Sequence, residues 1–104
     1  MDKSRIEFLQ EALEANPDNT FARYALAVEL STCDRHADAW PHFEYLLNHH
    51  PDYSATYYQA DKFLVQQGRR QEARQILAQG IDVAQRQRNR HAQSELQAAL
   101  ESLD

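Results

Sequence analysis

The sequence predicts an all-α protein made of antiparallel helix-turn-helix repeats, about six helices in all. Three observations carry that prediction. Two glycines and three prolines are too few turn-formers for a sandwich or barrel of many short strands. Apolar residues recur at three- and four-residue steps through most of the chain, the spacing of one helix face. Finally, Asn16-Pro17-Asp18-Asn19 returns as His50-Pro51-Asp52-Tyr53, placing two Pro-Asp pairs 34 residues apart.

The same shift aligns the residues downstream of each pair. Tyr24 falls on Tyr58, Leu30 on Leu64, Ala39 on Ala73, Phe43 on Leu77 and Leu47 on Ile81. Aromatic meets aromatic and apolar meets apolar, so the period is a structural one. A first helix is expected over residues 3–15. There Ser4-Arg5-Ile6-Glu7 forms a capping box and Phe8, Leu9, Ala12 and Leu13 supply an apolar face. A first repeat, residues 20–53, holds two helices. Phe21, Tyr24, Ala25, Val28 and Leu30 mark one, and Trp40, Phe43, Leu46 and Leu47 mark the other, with Asp34 as its expected cap. Pro41 sits inside that second helix, so either the helix begins later or it kinks beside Trp40.

A second repeat, residues 54–87, repeats the scheme. Tyr57, Ala60 and Leu64 share a face, Gly68 suits a helix C-terminus, and Ala73, Ile76, Leu77, Gly80, Ile81 and Ala84 form the next stripe. A last amphipathic helix, residues 90–103, carries Ala92, Leu96, Ala99, Leu100 and Leu103, with Gln93, Glu95, Gln97 and Glu101 behind. The whole, residues 1–104, is expected to form one domain.

Composition narrows the function classes. With 42% apolar and 26% charged residues the chain has an ordinary globular balance, which argues against disorder. A net charge of -5 argues against general nucleic-acid affinity. The run of arginines from Arg69 to Arg90 reads as a solvated helix face, because no aromatic is interleaved for base stacking. The lone Cys33 has no intramolecular partner, and the N-terminus runs into an amphipathic segment, so a cytoplasmic location without signal peptide or membrane span is expected.

No phosphate-cradling glycine loop, nucleophile elbow or Cys-x-x-Cys motif is present, so catalysis and cofactors are not expected. His42 and His49 are seven residues apart, not the i, i+4 spacing that suits zinc on one helix. The histidines are therefore read as exposed or capping groups and no metal is expected.

The 34-residue unit, with Ala39 and Ala73, Phe43 and Leu77, Tyr57, Gly68 and the closing Pro17 and Pro51, resembles the tetratricopeptide repeat. It departs from that pattern at Arg23, where an aromatic is usual, at Asp34, where glycine is usual, and at Asp61, where a small residue is usual. A third closing proline is replaced by Gln85. The second repeat and tail are similar to small bacterial proteins of this class.

The resemblance implies a right-handed superhelix whose first helices line a concave groove. The groove-facing positions correspond to Phe21, Tyr24, Val28 and Ser31 on one helix. On the other they correspond to Ala55, Tyr58, Gln59, Lys62 and Val65. An aromatic-lined, nearly neutral groove suits a peptide segment of another protein, the role of an adaptor or scaffold. Phe21 and Tyr24 belong either to that groove or to the core beneath the first helix. Relatives that grip a chaperone's terminal carboxylate use a basic residue and asparagines, where this chain has Tyr24, Val28 and Gln59, so such tails are not expected ligands. The chain is expected to be a monomer or weak homodimer, and self-association without a peptide ligand is the alternative.

Overall fold

The computed structural model describes residues 4–103, which form six α-helices and no strand. They are α1 (Arg5–Ala15), α2 (Thr20–Thr32), α3 (His36–His49), α4 (Ala55–Gln66), α5 (Arg70–Arg86) and α6 (Arg90–Ser102). The helices gather into two compact units, one ending at His50 and the other beginning at Pro51.

In the first unit α2 packs against both α1 and α3. Leu26, Leu30, Phe43 and Leu46 are fully buried, and α1 adds Leu9 and Leu13. Each such side chain contributes about 1.5–3 kcal/mol by leaving water. The start of α1 is capped as expected: the Ser4 hydroxyl accepts from the Glu7 amide at 3.1 Å and donates to the Glu7 carboxylate at 3.2 Å. Asn19 caps α2 through its side-chain oxygen, 3.0 Å from the Ala22 amide.

In the second unit α5 is the central helix, packed on α4 and α6, while α4 also touches α6. Leu64, Leu77 and Leu96, one from each helix, are fully buried. Gly80 lets the three helices approach. A Cβ there would stand 2.7 Å from Tyr57 Cβ and 3.1 Å from Leu96 Cδ1. The C-terminal end is held by charge: Arg70 and Arg74 each donate to the Leu103 carbonyl, at 2.8 and 3.0 Å. Asn89 caps α6, its side chain accepting from the Ala92 amide at 3.1 Å.

Three helices end the same way. Asp34, Gly68 and Arg88 adopt left-handed backbone, with φ of 60°, 76° and 57°. The next amide in each case reaches back to a helix carbonyl: Arg35 to Leu30, Arg69 to Leu64 and Asn89 to Ala84, all at 2.9 Å. This is the Schellman closure, and only at Gly68 is the residue free of a Cβ penalty. Asp34 therefore ends α2 and does not cap α3, whose N-cap is Arg35 with no side-chain capping bond. An aspartate serves here because its short side chain tolerates the left-handed region. Pro41 does lie inside α3, which begins at His36 and runs through it. The carbonyl that loses its donor there belongs to exposed Ala37, where water can replace it.

The departure at Arg23 also has a structural account. Its guanidinium donates to the Pro17 carbonyl at 2.7 Å, lies 3.8 Å over the Tyr45 ring and bonds His42 Nδ1 at 3.1 Å. One period later the Tyr57 hydroxyl donates to the Pro51 carbonyl, also at 2.7 Å. Two different side chains thus tie the proline corner to the next helix.

Candidate functional site

Phe21, Tyr24 and Val28 lie on α2 in the first unit, at spacings of three and four that place them on one helical face. Phe21 is 65% exposed, so it is not core; Tyr24 and Val28 are half-buried. Tyr58, Gln59 and Lys62 lie on α4 in the second unit, the first two half-buried and Lys62 exposed.

Within the second unit the structure brings Tyr58 and Lys62 together. They line an open cavity of about 610 Å³ between α4 and α6, and Gln59 stands outside it. The volume is in the range of small-ligand sites. On the α4 side the wall continues through Asp61 and Val65, and on the α6 side through Glu95, Ala98 and Ala99. Arg70 also lines it, its guanidinium already donating to the Leu103 carbonyl. The Lys62 ammonium lies 5.6 Å from the centroid of the Tyr58 ring, a cation–π arrangement.

Asp61 is the unusual member. It is only 5% exposed, and its Oδ1 is buried without a hydrogen-bond partner. Burial raises its carboxyl above the ordinary value, because the low-dielectric surroundings disfavour the charged form. One period earlier the same position is Ala27, fully buried. The sequence marks Asp61 as a charge where the repeat takes a small residue. The residues opposite it, Glu95, Ala98 and Ala99, lie more than thirty positions on and carry no such signal.

The remaining charged groups are mostly engaged in local structure. Arg69 pairs with Glu72 at 2.6 Å, and Arg86 with Asp82 at 3.2 Å. The Arg69 hydrogen bonds hold the Glu72 carboxyl below its ordinary range. Arg70 and Arg74 hold the end of α6, so four of the six arginines between Arg69 and Arg90 are bound within the second unit.

The histidines act as partners of nearby side chains. His50 bonds Asp18 at 2.6 Å, which lowers the Asp18 carboxyl, and the Tyr45 hydroxyl donates to the same oxygen at 3.3 Å. His49 packs on the Tyr45 ring at 4.3 Å, and His91 lies 3.9 Å from Glu95. Burial first, and the Arg23 charge second, push His42 below the ordinary histidine range. Among the described residues no three potential ligands gather around a metal position, and no helix is long and apolar enough to cross a membrane.

Similarity to known proteins agrees with this architecture. The family model for the tetratricopeptide repeat matches residues 34–102. A tetratricopeptide repeat domain protein from Salinibacter ruber, solved in solution, is 37% identical, with a TM-score of 0.81; the match covers 86% of this chain and 90% of that one. A crystal structure of a tetratricopeptide repeat domain protein from the same organism is 38% identical over 82% of this chain and 96% of its own, with a TM-score of 0.77. A Bordetella parapertussis protein, solved in solution, is 29% identical over 98% of this chain and 89% of its own, with a TM-score of 0.83. No curated protein matches the chain. The repeat period, the shared helix closures and these likenesses lead to one conclusion: the chain belongs to the tetratricopeptide repeat family.

Proposed function

We propose that this protein is an adaptor that holds a peptide segment of another protein against the faces of α2 and α4 that carry Phe21, Tyr24 and Val28, and Tyr58, Gln59 and Lys62. The repeat scaffold is one generally associated with protein–protein interaction. The observation that carries the reading is the α4–α6 cavity, which has Tyr58 and Lys62 in its wall. Aromatic rings anchor a ligand through area while losing little conformational entropy. The partner is a polypeptide, with neither nucleic acid nor membrane as the ligand, and the working compartment is the cytoplasm of a bacterium.

The test is affinity capture from the source cell followed by mass spectrometry, repeated with Tyr24→Ala and Tyr58→Ala. Loss of one specific partner in both variants, with helicity retained, supports the reading. Unchanged capture counts against it. Self-association is the second reading, favoured by Phe8 and Phe21, each 65% exposed. Sedimentation across a concentration series separates the two, because a tight dimer insensitive to peptide would favour self-association.

A further inference from the structure

We propose that the cavity between α4 and α6 receives a basic side chain, an arginine or lysine of the partner polypeptide, and that the Asp61 carboxylate is its counter-charge. The inference rests on the peptide-binding reading and names the group that the second unit selects.

Asp61 is the starting point. A buried carboxylate with a bare oxygen opposes folding, since it has lost its water and gained no donor. Nothing in the repeat geometry requires it, because Ala27 fills the same position one period earlier and is fully buried. A group that opposes folding, serves no packing purpose and lines an open cavity is the pattern of a binding residue.

The surroundings select the sign of the ligand. Four charged groups line the cavity: Asp61 and Lys62 from α4, Arg70 from α5 and Glu95 from α6. Only Asp61 is buried, so the deep charge is the negative one. The bases are engaged or outward: Arg70 donates to the Leu103 carbonyl, and exposed Lys62 lies over the Tyr58 ring. An anion entering the cavity would face Asp61 directly. A cation beside this carboxylate would offset its desolvation and favour the charged form. Val65, Ala98 and Ala99 offer the apolar wall along which an arginine or lysine stem lies. Glu95 adds a second negative charge to the cavity wall.

The experiment is a titration of the isotope-labelled full chain, followed by amide chemical shifts, with four capped tripeptides of the form Gly-X-Gly. X is arginine, lysine, citrulline or glutamate. Citrulline keeps the shape of arginine without its charge. The expected result is saturable shifts in α4 and α6 with the arginine and lysine peptides, at least tenfold weaker with citrulline and absent with glutamate. Asp61→Asn should weaken the arginine peptide at least tenfold while the spectrum stays dispersed. Asp61→Ala should do the same and raise the melting temperature, because it removes the bare carboxylate.

Citrulline binding as tightly as arginine would overturn the inference and leave the peptide-binding reading standing. Preference for glutamate, undiminished binding by Asp61→Asn, or no shift with any peptide would each overturn it as well. The broader reading is judged separately, by the capture experiment with Tyr24→Ala and Tyr58→Ala.

Discussion

Arg23 holds the Pro17 carbonyl at 2.7 Å, and this bond takes the place of the one that Tyr57 makes to Pro51. The two donors differ in what else they do. Tyr57 is buried against Gly80, whereas Arg23 also stacks on Tyr45 and bonds His42. Tyr57→Phe should lower stability by about 0.5–1.5 kcal/mol, the net worth of one hydrogen bond. Arg23→Ala removes three interactions and should lower it by about 1–2 kcal/mol. Urea unfolding of both variants checks the order, and an Arg23→Ala chain as stable as the parent would refute it.

The approach of α5 to α4 and α6 depends on Gly80. Alanine would gain about 1 kcal/mol in helix propensity. It would also place a methyl group 2.7 Å from Tyr57 Cβ, on a helix backbone that cannot swing aside. Overpacking of this kind costs about 1–3 kcal/mol, so the clash wins and Gly80→Ala should be destabilising on balance. Thermal melting decides it, and a higher melting temperature would contradict the packing described for this contact.

At the left-handed helix closures the sign reverses. Arg88 carries a Cβ where Gly68 does not, and the left-handed conformation costs about 1–2 kcal/mol for most residues. Glycine gives back about 0.4–1 kcal/mol through the freer unfolded chain. Arg88→Gly should therefore stabilise by about 0.5–1 kcal/mol. Asp34→Gly should do less, since aspartate tolerates the conformation better. Gly68→Ala should destabilise, and the three chemical midpoints together test whether the closures are equivalent.

Residues 90–104 are expected to be indispensable to the second unit. Their removal exposes the faces of α4 and α5 that pack on Leu96, and leaves Arg70 and Arg74 without the Leu103 carbonyl. A single repeat does not bury its own apolar stripe. The truncated chain should lose the cooperative melting transition and a large part of its helicity. Native circular dichroism with a sharp transition would show that α6 is dispensable.

The first unit should weaken as acid reaches His42. Folded His42 accepts from Arg23 at Nδ1 and titrates below the ordinary histidine value of 6.5, whereas the unfolded residue takes its proton near that value. Below pH 6.5 the unfolded state therefore binds more protons, and stability falls as pH drops toward the folded value. His42→Asn retains an acceptor without titrating, and should flatten this slope as pH falls through 6.5. Asp18 acts lower on the scale. Its folded pKa is depressed by His50, so its contribution is present above the unfolded value of 3.8 and is lost as pH falls through the folded one. Identical slopes in parent and His42→Asn would remove His42 from the account.

Much of this molecule is legible along one dimension. Helix faces follow from three- and four-residue spacing, the period from the Pro-Asp pairs, and the caps at Ser4 and Gly68 from residues adjacent to the groups they serve. These are local interactions, and local sequence states them. The role of Asp34 is not legible in this way, because an aspartate both caps helices and tolerates left-handed backbone. Only the bond from Arg35 to Leu30 distinguishes the two. Arg23 and Asp61 stand out as departures from the repeat, but their meaning lies with residues distant in the chain. Tyr45 and His42 explain the first. For the second, the α6 wall, more than thirty residues on, completes the cavity that buried Asp61 lines. Sequence determined the helices and their repeat, because their hydrogen bonds close within a few residues. Tertiary packing decided which polar groups were satisfied and which were left bare, because desolvation depends on everything that surrounds an atom.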